Sequence, residues 1–278
     1  MRRHILIPTD YSDNAWSAVL YALNLYANEA CTFHFLHSWT FVNTGGRTYI
    51  SPSYIDKLKM ASQLQLDEIK GRAAMESTNE AHQFETIFST DYLVDALKSA
   101  IKTYKIDLVV MGTKGATGAV ELLLGSNAVT VINKIRHCPI LLVPDEYRFA
   151  APTCIAFSTG FNRSYGEELD TIKELATLHN SKVKILHIMG KDDLSEDQHK
   201  NLEVLKETLK PLPHSLSWMP EKGNKEEVIS KFIKEYQIDI LTMINYKHNF
   251  FEDLVKEPII KKIGYHAIIP FLVIPYVS

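Results

Sequence analysis

Gly112-Thr113-Lys114-Gly115 and, nine residues later, Gly125-Ser126-Asn127 form the segment of this chain best suited to chemistry. Glycines at 112 and 115 let a backbone turn sharply and approach a ligand without interference from Cβ. Gly125-Ser126-Asn127 would present amides at the start of a helix. Amides gathered in this way, with the positive end of a helix dipole behind them, bind phosphate. Taken singly, the same residues also fit turn glycines and an ordinary helix start. Context favours phosphate, because a strand-like run, Ile106 to Met111, leads in and a helix-like run, Gly125 to Arg136, leads out.

The elements that must position this segment follow from hydrophobic periodicity. Short apolar runs at His4 to Pro8, Thr32 to His37, Phe84 to Phe88, Asp107 to Met111 and Ile140 to Val143 read as strands. Ala15, Ala18, Val19, Ala22, Leu23 and Tyr26 recur at helical spacing behind Ser12 or Asp13 as N-cap. Tyr54 to Asn79 reads as a long helix, and Leu93, Val94, Leu97, Ile101 and Tyr104 as another behind Asp91 as cap. Strand and helix alternate, which predicts a parallel sheet covered on both faces with right-handed crossovers.

The chain then repeats itself. Tyr104-Lys105-Ile106-Asp107 to Met111 aligns with Tyr236-Gln237-Ile238-Asp239 to Met243, Pro139 to Pro144 with Pro270 to Pro275, and Phe35-Leu36-His37 with Ile185-Leu186-His187. A repeated order of elements implies a repeated fold. The second copy is expected to carry helices over Asn162 to His179, Ser195 to Leu209, Asn224 to Tyr236 and Glu252 to Tyr265, with Asp145 to Pro152 as linker. Trp39 to Ser53 is longer than its counterpart and reads as a lid or a surface insertion.

Composition limits the function. The 278 residues are 46% hydrophobic and 23% charged, with a net charge of −3. To residue 150 there are 14 basic and 15 acidic residues, leaving 16 and 18 beyond, so no basic stripe offers itself to nucleic acid. Met1 to Pro8 is too short in its apolar run for a secretory signal, and Ala267 to Val277 is proline-broken and too short for a membrane span. A cytoplasmic protein is expected, with no nucleic acid or membrane partner. Cys31, Cys138 and Cys154 are scattered and read as buried small hydrophobes rather than a disulfide framework or zinc site. His34 and His37 point to opposite strand faces and would not share a metal. Lys191 to Asp197 reads as a solvated helix start, Lys261-Lys262 as dipole partners, and Phe250-Phe251 as packing in place of a lost loop, with a partner site as the alternative.

With Gly112, Gly115, Gly125 and Ser126 at the spacing G-x2-G-x9-G-[S/T], a first strand ending Ile7-Pro8-Thr9-Asp10, and a second ending Leu36-His37-Ser38, the chain resembles the universal stress protein family in its tandem two-domain form. The resemblance covers nearly the whole sequence. It implies an α/β fold of two tandem open parallel five-stranded sheets with helices on both faces, Rossmann-like and adenine nucleotide alpha-hydrolase-like. Domains are expected over 1–146, which binds nucleotide, and 152–278, with a degenerate phosphate loop.

The ligand implied is ATP, with AMP or ADP as alternatives and Mg2+ as companion of the phosphates. By the resemblance Pro8, Thr9, Asp10, Ser38, Met111, Gly112, Lys114, Gly115, Gly125, Ser126 and Asn127 bind the nucleotide, with Asp10 at the nucleoside end, the backbone of Ser38 at the base edge, and Lys114 and the amides of Gly115, Ser126 and Asn127 at the phosphates. In the second copy Ile244 and Lys247 replace Gly112 and Gly115, Lys256-Glu257 stand near Gly125-Ser126, and Thr159 is aligned with Asp10. One nucleotide per chain is expected. The family pattern also implies an internal pseudo-dimer through the final strands, with a homodimer beyond it. Hydrolysis needs a positioned water and a base, and only Asp10 offers itself, so any ATPase activity is expected to be slow. A scaffold or sensor for another small ligand is the alternative reading. An adenylating ligase ranks last, because its Ser-Gly-Gly-x-Asp-Ser loop is missing.

Overall fold

Five short segments of the first half, each carrying apolar residues, become strands. The computed structural model describes residues 2–39, 52–113, 125–188, 194–219, 225–245 and 269–276. The chain divides into two compact units, Met1–Phe149 and Ala150–Ser278. In the first unit β1 (Arg3–Pro8), β2 (Cys31–Ser38), β3 (Gln83–Ser89), β4 (Leu108–Gly112) and β5 (Ile140–Val143) lie parallel in the order β3-β2-β1-β4-β5. Ile5, Leu6 and Ile7 of β1 are all fully buried, as a central strand covered on both faces requires. β3, at one end of that order, is half exposed.

Helix α1 (Asp13–Leu25) packs on β1, β4 and β5, α2 (Pro52–Glu76) on β2 and β3, and α3 (Leu93–Tyr104) on β1 and β2, while α4 (Ser126–Lys134) meets α3. Ser12 caps α1 by accepting the Ala15 amide, and Ala15, Ala18, Val19 and Ala22 form its buried stripe. Three expectations shift. Asp91 does not cap α3: the cap is Tyr92 without a side-chain bond, and Asp91 instead closes a turn with Ser89. α2 ends at Glu76, before Ser77 and Asn79 fold into a polar turn with His82. α4 ends at Lys134 because Ile135 is already extended.

The second unit follows the same plan with β6 (Cys154–Ser158), β7 (Lys182–Ile188), β8 (His214–Met219), β9 (Ile240–Asn245) and β10 (Phe271–Pro275) in the order β10-β9-β6-β7-β8. Its helices are α5 (Asp170–Leu178), α6 (Glu196–Leu209) and α7 (Lys225–Tyr236). The helix expected from Asn162 begins only at a 3-10 turn, Glu167–Leu169, that leads into α5. α6 opens with a reciprocal capping box between Ser195 and Gln198. The expected helix 252–265, the 40–51 insertion, Lys191 to Asp193, Phe250-Phe251 and Lys261-Lys262 lie outside the described residues.

The repeated Tyr-x-Ile-Asp has a structural purpose. Lys105 and Gln237 take left-handed angles, φ 51° and 50°, that end α3 and α7. Asp107 and Asp239 then receive the backbone amides of His4 (2.8 Å) and Cys154 (2.9 Å), tying β4 to β1 and β9 to β6. Part of the expected 145–152 linker is packed, since Tyr147 and Phe149 stand edge-on to Tyr21. All three cysteines are buried and unpaired, and burial pushes the Cys31 and Cys138 thiols up to about 12.

His4, His34 and Glu85 line up across β1, β2 and β3. His34, 1% exposed, lies 3.0 Å from His4 (Nε2 to Nδ1) and 3.2 Å from a Glu85 oxygen, with the Tyr104 ring beside it. The Glu85 contact has ionic distance but not hydrogen-bond geometry. Burial lowers the His34 pKa, opposed by Glu85 and helped by His4. In the second unit burial likewise lowers His187, against its bond to the Thr159 carbonyl. Both groups bind protons less well folded than unfolded. The stability this preserves is full above the ordinary value of 6.5 and is lost as pH falls through the lowered folded values. The melting temperature should therefore drop as pH falls below the ordinary value of 6.5. His34→Asn should flatten that dependence, and an unchanged slope would refute the assignment.

Candidate functional site

Among the described residues singled out from sequence, Pro8, Thr9 and Asp10 lie at the carboxyl end of β1, Ser38 at that of β2, Met111 and Gly112 at that of β4, and Ser126 and Asn127 at the start of α4. β1 is paired with β4 on one side and β2 on the other, so the chain builds the sheet outward in one direction from β1 to β3 and in the other from β4 to β5. Such a switch point leaves a crevice where open α/β sheets bind ligands.

Pro8 ends β1 opposite Leu36. Thr9 is buried; its amide donates to the Leu36 carbonyl (2.8 Å), and its hydroxyl accepts the Tyr11 amide (3.0 Å). Asp10 is half-buried, and its Oδ1 accepts from the Ser12 amide (3.2 Å) and hydroxyl (2.5 Å). This turn makes Ser12 the cap of α1 and holds Asp10 at its entry. Met111 is buried beside Leu142, and Gly112 pairs with Val143. Ser38 ends β2, but its hydroxyl turns away from β1 and donates to the Asp91 carbonyl (2.6 Å). Any contribution to a base edge falls to its backbone.

Thr113 joins β4 to α4. Its amide donates to the Val143 carbonyl (3.0 Å), and its carbonyl accepts the Gly125 amide (2.5 Å). The Gly125 amide is thereby used internally. Ser126 and Asn127 lie one step further on, exposed in the first turn of α4 behind a cap with no side-chain bond. Their amides belong to the group that the helix itself leaves unmatched. The helix start is thus pinned to the end of β4 with its next two residues facing solvent. Lys114, Gly115 and the rest of residues 114–124 lie outside the described residues.

Gly112 is glycine for a reason that its spacing did not suggest. It sits in regular strand, and a Cβ there would fall 2.1 Å from Asn14 Oδ1 and 2.9 Å from the Asn14 carbonyl oxygen. The close approach belongs to the first turn of α1, not to a ligand. Asn14 is 5% exposed and reaches Asp145 at 3.4 Å.

His37 was also missed as an organiser. Its Nδ1 donates to the Thr9 carbonyl (2.8 Å), and its ring lies against Tyr11. The signal was present in the repeat: His187 donates to the Thr159 carbonyl (2.7 Å) and stacks on Phe161. Thr159 accepts the Phe161 amide (3.0 Å), as Thr9 accepts that of Tyr11. Thr159 therefore corresponds to Thr9, and Gly160, not Thr159, stands where Asp10 does.

The second crevice has taken another course. Gly160 brings no carboxylate, the helical segment after β6 starts only at Glu167, and Ile244 of β9 stands in the place of Gly112. Gln198 donates to the Gly160 carbonyl (2.8 Å) and Asn201 to that of Phe161 (2.9 Å). The Tyr165 hydroxyl bonds that of Thr159, and Arg163 pairs with Glu168. These polar groups are engaged with one another. Lys247 and Lys256-Glu257 lie outside the described residues.

A sequence model described as the universal stress protein family matches residues 1–144. The chain belongs to the universal stress protein family. A universal stress protein of Methanocaldococcus jannaschii is 30% identical over 149 residues, covering 51% of this chain and 81% of that protein. A universal stress protein of Bacillus subtilis is 24% identical over 148 residues, 51% of this chain and 99% of its own. Among solved structures, a universal stress protein from Archaeoglobus fulgidus superposes with TM-score 0.70 at 15% identity over 99% of this chain and 97% of that one. A Pseudomonas aeruginosa protein of unknown function gives 0.57 at 11% over 98% and 92%. Identities this low speak for the fold alone. No helix among the described residues is long and apolar enough to cross a membrane, and none of their His, Cys, Asp and Glu side chains form a group of three that could hold a metal.

Proposed function

We propose that the first unit binds one adenine nucleotide, with ATP as the principal ligand and AMP or ADP as lesser ones, and that the protein acts as a nucleotide-dependent binding module in stress response. The observation that carries this reading is the exposed first turn of α4, anchored to the end of β4 by the Gly125 to Thr113 bond at the switch point of the sheet. Ser126 and Asn127 amides, the Ser126 hydroxyl and the helix dipole supply donors for an anionic tail. Lys114 and Gly115 would extend that cradle. Asp10, at the end of the neighbouring β1, offers a carboxylate oxygen to ribose hydroxyls or an adenine amino group. Pro8, Thr9, Met111 and the backbone of Ser38 wall the nucleoside end.

Mg2+ would arrive with the phosphates rather than be held by a dedicated protein cage. The self-engaged polar groups of the second crevice support a stoichiometry of one. Hydrolysis has no evident base besides Asp10, so turnover is expected to be slow.

Calorimetric titration with ATP, beside mass spectrometry of small molecules carried through native purification, tests the reading. One site per chain is expected. Ser126→Glu places a carboxylate among the phosphate donors and should weaken binding by about 10–100-fold, the range of a few charge-assisted bonds. Equal binding by both forms, or binding by neither while another metabolite co-purifies, would replace it with the sensor reading.

A further inference from the structure

Tyr11 holds the turn between β1 and α1 in a left-handed backbone conformation, φ 67°, which residues bearing a Cβ adopt only when their surroundings enforce it. Three contacts do so here. Its amide donates to Thr9 Oγ1 at 3.0 Å. Its ring lies 4.4 Å from that of His37. Its hydroxyl donates to the Ser62 carbonyl, within α2, at 3.0 Å. Burial pushes the phenol up to about 12, so it stays a donor through the neutral range. The residues on either side are Asp10 and Ser12, which share the carboxylate bonds at the entry to α1.

The second unit isolates what the hydroxyl adds. Phe161 has the same left-handed angle, φ 54°, the same amide bond to a threonine hydroxyl at 3.0 Å, and the same stacking on a histidine at 4.5 Å. A phenyl ring is therefore enough to shape the turn. There the following long helix, α6, grips the turn through its backbone carbonyls, by Gln198 and Asn201. In the first unit the tyrosine hydroxyl reaches out to the corresponding helix instead. Shape and grip are separate features, and only the first unit gives the grip to residue 11.

We propose that Tyr11 is a positioning residue of the nucleotide site and that its hydroxyl couples occupancy of the Asp10 turn to α2. The proposal rests on the nucleotide reading above. A ligand held by Asp10 fixes the turn, the fixed turn holds the phenol, and the phenol steadies the Ser62 carbonyl. In an α-helix that carbonyl also accepts the amide four residues on, that of Leu66, so the steadying is felt in the backbone of α2. By reciprocity, whatever steadies α2 tightens nucleotide binding by the same factor.

Hydrogen exchange of the full chain with and without saturating ATP, on wild type and Tyr11→Phe, tests this, with ATP affinity and melting temperature measured on each. Phe161 shows that phenylalanine is accommodated in such a turn. In wild type, ATP should slow exchange across residues 60–70 of α2 by about 5-fold, the worth of one hydrogen bond. Tyr11→Phe should bind ATP about 5-fold more weakly and lose that response. A purely structural tyrosine would lower the melting temperature and leave the ATP response intact, which would overturn the proposal. ATP bound by wild type with no change in α2 would also overturn it and leave the nucleotide reading standing. Wild type that binds no ATP at all sinks both.

Discussion

Gly112→Ala should cost about 1–3 kcal/mol of folding stability, the range for overpacking a buried site, and should weaken nucleotide binding as well. The new methyl would lie 2.1 Å from Asn14 Oδ1, 2.7 Å from its Cγ and 2.9 Å from its backbone oxygen. Rotating the Asn14 side chain relieves only part of the overlap. That side chain is buried and bonded to Asp145, so moving it also exposes or orphans an amide. The carbonyl can move only with the first turn of α1. Displacing that turn carries the Ser12 cap and the Asp10 carboxylate with it, which is how a change inside a strand reaches the ligand edge. Denaturant unfolding measures the first effect and ATP titration the second. Asn14→Gly added to Gly112→Ala should recover the side-chain share and leave the backbone share. A loss within about 0.5 kcal/mol, typical of harmless surface changes, would show the contact to be soft.

Arg163→Ala should destabilise the protein by about 3 kcal/mol, as removal of one partner strands a buried charge. The Glu168 side chain is 3% exposed; its carboxylate pairs with Arg163 and accepts the Gly166 amide at 3.0 Å. Burial alone would raise the Glu168 pKa, but the hydrogen bonds from Arg163 and the backbone outweigh it and hold the carboxyl below its usual range. The guanidinium also lies 4.4 Å from the Tyr276 ring centre and 5.3 Å from that of Tyr165, so alanine removes packing too. The joint change Arg163→Met, Glu168→Gln removes both charges and should restore most of the loss, since a matched apolar or neutral replacement of a buried pair is close to neutral. Thermal unfolding of the two variants decides it: equal losses would mean that packing, not the stranded carboxylate, dominates.

Much of this architecture was readable because the forces that set it act over a few residues. Alternating runs and caps located the strands and most helices to within a few positions, and Ser12 and Ser195 appear as caps because an extended residue with a short hydroxyl before an apolar stripe has little else to do. The internal repeat was legible because Tyr-x-Ile-Asp recurs unaltered in purpose, turning a helix end in left-handed geometry and then tying two strands with a carboxylate. Where local preference was weak, the reading slipped. Nothing near Asn162 forbids a helix, yet Tyr165 turns to Thr159 and Arg163 to Glu168, and those contacts delay the helix to Glu167.

By itself, the amino-acid order determined the α/β alternation, the repeated order of elements and the family, because periodicity, capping and glycine spacing are properties of neighbouring residues. Tertiary structure alone decided why Gly112 must lack a side chain, which threonine answers to Thr9, and that Tyr11 reaches α2. The contacts behind them join residues 98, 28 and 51 positions apart. Such meetings depend on strand register and helix placement, and no local preference encodes them.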